Sequence, residues 1–394
     1  SGESKNFLTI LWPVFFLVGI FLLNFTARII LSPLLPTIEN ELGISHAQAG
    51  FLFFLISAGY LFGLLGSGFF ASRATHKLTI VVSSAGVGMA LIAIAFATNL
   101  ATVRIGLVAL GLAAGLYIPS AIAAITSVIK QEHWGKAIAV HELAPNLAFF
   151  ASPFIAEAFL TWATWRVALG SLGATSIIAS LTYQHYGRGG EFAGEFPGSR
   201  AFGALVRTPA FWLMLTLFGL GVSSTIGVYA MLPLYLVSEQ AMHPSWANTV
   251  VALSRIHGPM LGLLGGWVSD WLGPKRTIVV SLIFTGIATL LLGVVSGWWT
   301  SAVVVVGPVV AVWFFPPAFA AVALITGPNA RNLAVAFTVP FGFMVGGGAI
   351  PTFLGMMGDA GLFAMGFVVA GSLITCGGVL AMLLNLPQTA KKSV

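Results

Sequence analysis

The sequence predicts an all-α polytopic membrane protein with twelve transmembrane helices in two pseudo-symmetric six-helix halves. Three observations lead there. Hydrophobic residues fill 58% of the 394 positions and charged residues 7%, with a mean hydropathy of +0.99, whereas a soluble domain carries about 25% charged residues. Apolar residues run consecutively for about 20 positions at a time, the length that takes an α-helix across a bilayer, without the alternation that a β-barrel needs. The segment Tyr117-Ile118-Pro119-Ser120-Ala121-Ile122-Ala123-Ala124 returns as Phe314-Phe315-Pro316-Pro317-Ala318-Phe319-Ala320-Ala321, half the chain later, as a duplicated unit would.

Hydropathy places spans at 8–35, 47–71, 78–98, 102–129, 137–160 and 166–184, then at 209–237, 246–268, 277–297, 301–326, 333–357 and 361–386. Residues 1–186 and 209–394 are therefore expected to form the two halves, joined by a Gly-, Arg- and Glu-rich linker at 187–208. The first apolar run is too long for a signal-peptide core and counts as a helix. Lys5, Arg73, Lys77, Lys130, Lys136, Arg188, Arg200, Arg207, Lys275, Arg276, Arg331, Lys391 and Lys392 share one side, and Arg104 and Arg166 take the other. The positive-inside rule then puts both termini in the cytoplasm, with the chain in a plasma (inner) membrane. The net charge of +6 reports this topology and not a nucleic-acid partner, because the basic residues are dispersed over loop ends.

Span 1 carries Asn24, Arg28 and Ser32 at i, i+4 and i+8, one polar stripe on an apolar helix. Such a stripe should face a cavity or the bundle interior. Arg28 lies eight residues before Pro36, about 12 Å along a helix, which places it near the bilayer midplane. Tyr60 in span 2, Tyr117 in span 4 and Tyr229 in span 7 put hydroxyls into apolar walls, where they are candidate substrate donors. Gly111-x-x-x-Gly115 in span 4 and Gly342-x-x-x-Gly346 in span 11 read as helix-contact surfaces. His141-Glu142 opens span 5, about 9 Å past Lys136. A carboxyl in low dielectric beside a histidine can exchange a proton, so this pair is the candidate for proton coupling, with a gate at the entrance as the alternative.

Span 8 holds Arg255, about 16 Å past Pro244 by the helical rise. His257 lies about 200° further round that helix and reads as a hydrogen-bonded packing residue. Cys376, the single cysteine, permits no intramolecular disulfide. A charge at bilayer depth costs roughly 2.5–3.5 kcal/mol, and among the acids Glu142 alone is expected deep enough to pair with an arginine. At least one of Arg28 and Arg255 therefore needs another partner, and an anionic ligand is the economical one.

Two loops carry a resemblance. Gly266-Trp267-Val268-Ser269-Asp270-Trp271-Leu272-Gly273-Pro274-Lys275-Arg276 between spans 8 and 9, and in weaker form Gly68-Phe69-Phe70-Ala71-Ser72-Arg73-Ala74-Thr75-His76-Lys77 between spans 2 and 3, resemble the signature loop of the major facilitator superfamily, Gly-x-x-x-Asp-Arg-x-Gly-Arg-Arg/Lys. In the first half Ser72 replaces the acid and Thr75 the second glycine. The resemblance covers the whole chain and implies alternating access, with substrate bound between the halves. It also implies gating by an acid docked on a helix N-terminus of the other half, here Asp270 towards Lys136. Arg73 and Arg331 complete the gating candidates. An arginine in span 1 is similar to the anion:cation symporter and organophosphate branches, and one in span 8 to the monocarboxylate and oxalate branches.

The expected function is proton-coupled symport of a small organic anion, a carboxylate being favoured. Arg28 and Arg255 would clamp it, with Asn24, Tyr60, Tyr117 and Tyr229 around it. The alternatives are anion exchange and multidrug/proton antiport. The latter is disfavoured because Ser152-Pro153 is only a degraded version of the span 5 motif of such antiporters. With no Walker-type motif, metal-spaced cluster or Ser/His/Asp set, neither enzymatic activity nor a cofactor or metal is expected. The expected partners are the anion, protons and the lipid bilayer, with the monomer sufficient.

Overall fold

The computed structural model describes residues 7–194 and 205–386, except the side chains at 7–11, 259, 262, 263 and 326–333. Local sequence explains where many helices begin and end. Gly43 closes span 1 in the left-handed conformation, and Ser45 opens span 2 with a capping box completed by Gln48. Thr75, Asn99 and Thr164 accept from backbone amides at the starts of spans 3, 4 and 6. Among the described residues, ten helices are long and apolar enough to cross a membrane. The two further expected spans are Trp165–Tyr186, diluted by polar residues, and the interrupted pair Pro244–Leu253 and Gly258–Leu272. The chain is thus an all-α multi-pass membrane protein.

Several spans are broken near mid-depth. Span 1 turns at Ile30, span 4 at Leu116 and span 5 at Glu142, while spans 7 and 11 hold π-helical turns at Ser223–Gly227 and Phe343–Ala349. Such turns recur at functional sites. The connection expected between spans 10 and 11 is itself helical, within the run Phe315–Gly342.

Glycine sets the helix pairing. A Cβ at Gly111 would fall 2.7 Å from the Tyr60 amide nitrogen, and one at Gly115 would likewise meet the span 2 backbone, so spans 2 and 4 touch backbone to backbone. Spans 3 and 6 meet in the same way at Gly88 and Gly173, as do spans 9 and 12 at Gly286 and Gly371. The 3–6 and 9–12 pairs are equivalents in the two halves. A direct sign of the repeat is the bond from Ser32 Oγ to the Tyr229 carbonyl at 2.7 Å, between residues 197 apart. That offset also separates Tyr117 from Phe314, so repeat-equivalent residues of spans 1 and 7 meet on the pseudo-twofold axis.

Twelve crossings put both ends of the chain on one side, the terminal face. On the opposite face the halves are sealed: span 1 packs on span 7, span 5 on span 8 and span 2 on span 11. Asp359 reaches the His46 and Ala47 amides there, and Asn248 donates to Glu157. On the terminal face the ends of spans 4 and 5 pack against elements of their own half.

Candidate functional site

The two arginines lie near the breaks in spans 1, 7 and 8. Arg28 is 7% exposed, and its guanidinium carbon lies 4.3 Å from the Tyr60 ring centroid, 4.6 Å from Phe25 and 5.3 Å from Phe343. Tyr60 and Phe343 themselves touch, at 5.1 Å, so rings from both halves cover this cation. Arg255 is 6% exposed, with its guanidinium carbon 4.5 Å from Phe149 and 5.1 Å from Tyr229. Its Nη2 donates to the Thr225 carbonyl at 2.8 Å, a carbonyl inside the π-helical turn of span 7. The Phe25 and Phe149 rings meet edge-on at 5.2 Å, so the two cations stand at either end of one aromatic row.

Among the described residues no carboxylate pairs with either arginine, and each Nε is buried without a hydrogen-bond partner. The expectation that a buried Glu142 might neutralise one of them is not met. The Glu142 side chain is 52% exposed, at the break between Trp134–His141 and Leu143–Trp162. It remains within electrostatic range of Tyr60 and Tyr117. The expected polar stripe of span 1 divides as well. Asn24 donates to the Ala114 carbonyl at 3.4 Å and Ser32 to Tyr229, while Arg28 turns to Tyr60 and leaves its Nε unbonded.

His141 is fully buried, stacked on Phe21 at 4.5 Å. Its Nε2 lies 3.1 Å from the Tyr117 hydroxyl, which lies 2.7 Å from the Leu17 carbonyl. A carbonyl can only accept, so the tyrosine donates to Leu17 and accepts from His141, which puts the single proton of the neutral imidazole on Nε2. The bare Nδ1 then faces Glu142 Oε1 at 3.3 Å, lone pair against lone pair. One added proton turns that contact into a hydrogen bond, whether it sits on the histidine or on the carboxyl.

Tyr229 donates to the Phe149 carbonyl at 3.3 Å. His257, expected to be hydrogen-bonded, has a buried Nε2 with no partner. The sequence reading assumed an unbroken span 8, whereas residues 254–257 form a turn. Phe25, Phe149, Phe343 and Thr225 escaped that reading. Phe25 could have been found from its i−3 spacing to Arg28, but the others come from distant spans.

The sequence matches the Major Facilitator Superfamily over residues 17–312. The chain belongs to this superfamily. No curated protein matches it by sequence. Among solved structures it is similar to a bacterial homologue of the human lysosomal transporter Spinster, inward-facing and occupied, with TM-score 0.78 at 17% identity over 94% of this chain and 96% of that one. The unoccupied inward-facing form of that homologue gives 0.73 at 15%, over 97% and 96%. A peptide transporter POT in complex with sulfate gives 0.75 at 13%, over 95% and 94%. At such identities the likeness is one of fold. The protein is therefore a transporter and not an enzyme, with a small-molecule substrate and a membrane setting.

The facilitator loops lie apart in this conformation. Asp270 and Lys136 are exposed, and among the described residues they form no ion pair with each other. Arg73 covers the Phe69 ring at 3.7 Å. The Arg331 side chain lies outside the described residues. Lys77 is instead held at the start of the linker, bonded to the Gly187 carbonyl at 2.8 Å and near Glu191 at 3.8 Å.

Proposed function

We propose that this facilitator carries a small organic anion, a carboxylate in the first instance, together with a proton. The observation behind this reading is a pair of buried guanidiniums, one from each half, that have aromatic neighbours and no carboxylate partner. In low dielectric an unpaired cation is costly, and a planar fork suits a carboxylate. An anion held between Arg28 and Arg255 would neutralise both ends of the aromatic row and draw the halves together. Tyr60 and Tyr229 stand against the two guanidiniums, while Asn24 and Tyr117 are held by backbone carbonyls of spans 4 and 1.

The proton enters at His141 and Glu142, where the neutral imidazole leaves room for one. Entry of a monoanion against a negative interior costs about 2.3 kcal/mol per 100 mV, and one co-transported proton removes that charge. Asp270, Lys136, Arg73 and Arg331 are the gating residues of the terminal face in this reading. The basic residues assign that face to the cytoplasm of a plasma membrane, with halves at 1–186 and 209–394 and the monomer as the working unit.

The experiment is thermal stabilisation of purified wild type, Arg28→Gln and Arg255→Gln against carboxylates, phosphates, sulfonates and organic cations, followed by uptake into proteoliposomes with and without a pH gradient. Stabilisation by one class of anion, lost in both variants, with accumulation only under a gradient, is the expected result. A cation that stabilises all three proteins equally would overturn the anion reading. Uptake driven only by anion preloaded inside the vesicles would replace symport with exchange.

A further inference from the structure

On the face opposite the termini, three titratable groups meet across the two halves. Asp359, at the end of span 11, accepts from the His46 amide at 2.8 Å and from the Ala47 amide at 3.1 Å, one bond to each oxygen. These are two of the free amides that begin span 2, the positive end of that helix. The His46 ring is in turn held by Glu39 of span 1, with Nδ1 2.8 Å and 2.9 Å from the two carboxylate oxygens, and it lies 5.5 Å from the Phe363 ring of span 12. One histidine thus joins span 1 through its side chain and the second half through its backbone. We infer that Asp359, His46 and Glu39 form a proton-responsive lock whose ionised form seals this face.

The repeat shows that the lock is not a general requirement of the fold. The residues 197 positions away from Asp359 and His46 are Trp162 and His243, so the Asp359 contact is not repeated at the equivalent corner, which Glu41 and Glu157 line instead. There, between residues 160–165 and Pro244-Ser245, the structure has a cavity of about 460 Å³. A second polar bond across this face, Asn248 to Glu157 at 3.3 Å, also ends on a carboxylate but has a neutral donor. Asp359 is thus the carboxylate that ties span 11 to the N-terminus of span 2.

The direction follows from the chemistry. A proton on Asp359 removes the charge that interacts with the helix terminus and one of its acceptor sites, and a proton on Glu39 weakens its hold on His46. A proton on His46 alone strengthens the pairing with Glu39. With two carboxylates against one imidazole, acid on this face favours opening and alkali favours sealing. The other charged groups on the elements packed here are Glu41, paired with Arg166, Glu157, which accepts from Asn248, Arg104, which covers Phe51 at 5.9 Å, and Glu239 after span 7. None of them is hydrogen-bonded to Asp359.

The test needs no substrate, so it stands apart from the anion reading. With Cys376→Ser as background, Thr98→Cys and Ser296→Cys place spin labels on exposed positions of the two halves, and pulsed electron paramagnetic resonance reads their separation. Wild type should gain a longer-distance population as pH falls. Asp359→Asn should show that population, increased about tenfold, at every pH. Overlapping distributions for Asp359→Asn and wild type at neutral pH would overturn the inference, as would an unchanged pH response in the variant. Should Asp359→Asn not fold, Glu39→Gln gives the same reading, with opening expected at neutral pH and a wild-type distribution counting against the lock.

Discussion

Replacing Tyr117 by Phe tests the proton site at the atom that organises it. The substitution removes one hydroxyl that donates at 2.7 Å to Leu17 and accepts at 3.1 Å from His141. The Leu17 carbonyl sits inside a helix and keeps its backbone bond, so its loss is small. The Nε2–H of a fully buried histidine keeps nothing. Leaving a buried donor unpaired costs about 1–3 kcal/mol, and the imidazole can escape that cost by moving its proton to Nδ1, where it donates directly to an ionised Glu142. The site then satisfies itself without an added proton. Tyr117→Phe should therefore lower the melting temperature by a few degrees and flatten the pH dependence of uptake. It should also abolish accumulation driven by a pH gradient while leaving anion counterflow intact. A folded Tyr117→Phe protein that accumulates substrate with the wild-type pH profile would refute the tautomer argument.

Two further predictions concern the sealed face. A side chain at Gly50 would place its Cβ 2.8 Å from the Pro351 carbonyl carbon and 3.0 Å from the Thr352 Cα, contacts with backbone that cannot yield. Gly50→Val should hold this face open, read as a longer Thr98 to Ser296 label distance and slowed transport with little loss of anion binding. Glu41 pairs with Arg166 and accepts from Trp165 at 2.6 Å, but both members of the ion pair are partly exposed. Glu41→Gln should change thermal stability by only about 0–1 kcal/mol, and a substantially larger loss would show that the pair is part of the seal.

The spans were legible in the sequence because a bilayer imposes about 20 apolar residues on every crossing, and Gly43, Ser45 and Thr75 punctuate the chain as their chemistry requires. The 197-residue offset was legible too, from the match around Pro119 and Pro316. The breaks inside the spans were not. A π-helical turn such as Ser223–Gly227 forms because neighbouring helices hold it, and nothing local distinguishes it. Hydropathy likewise measures depth along a span but not which side faces water, so it places Glu142 at depth although half of its side chain is exposed. His257 was misjudged for a related reason, since angles round a helix lose meaning once the helix is interrupted.

The repeat and the charges follow different symmetries. Ser32 and Tyr229 meet on the pseudo-twofold axis, and the glycine pairs of spans 3–6 and 9–12 correspond, so the frame is shared by both halves. The repeat-equivalent of Arg28, however, is Thr225, whose carbonyl accepts from Arg255, and the equivalent of Tyr60 is His257. The two cations thus come from spans 1 and 8, which do not correspond. A symmetric frame allows the halves to rock between two similar arrangements, while charges placed once make those arrangements chemically unequal. In the proposed cycle the anion acts across both halves, the proton beside span 5 of the first half, and Asp359 from the second half against the first. None of these interactions has a counterpart at its repeat-equivalent position, so each can bias the frame in one direction only.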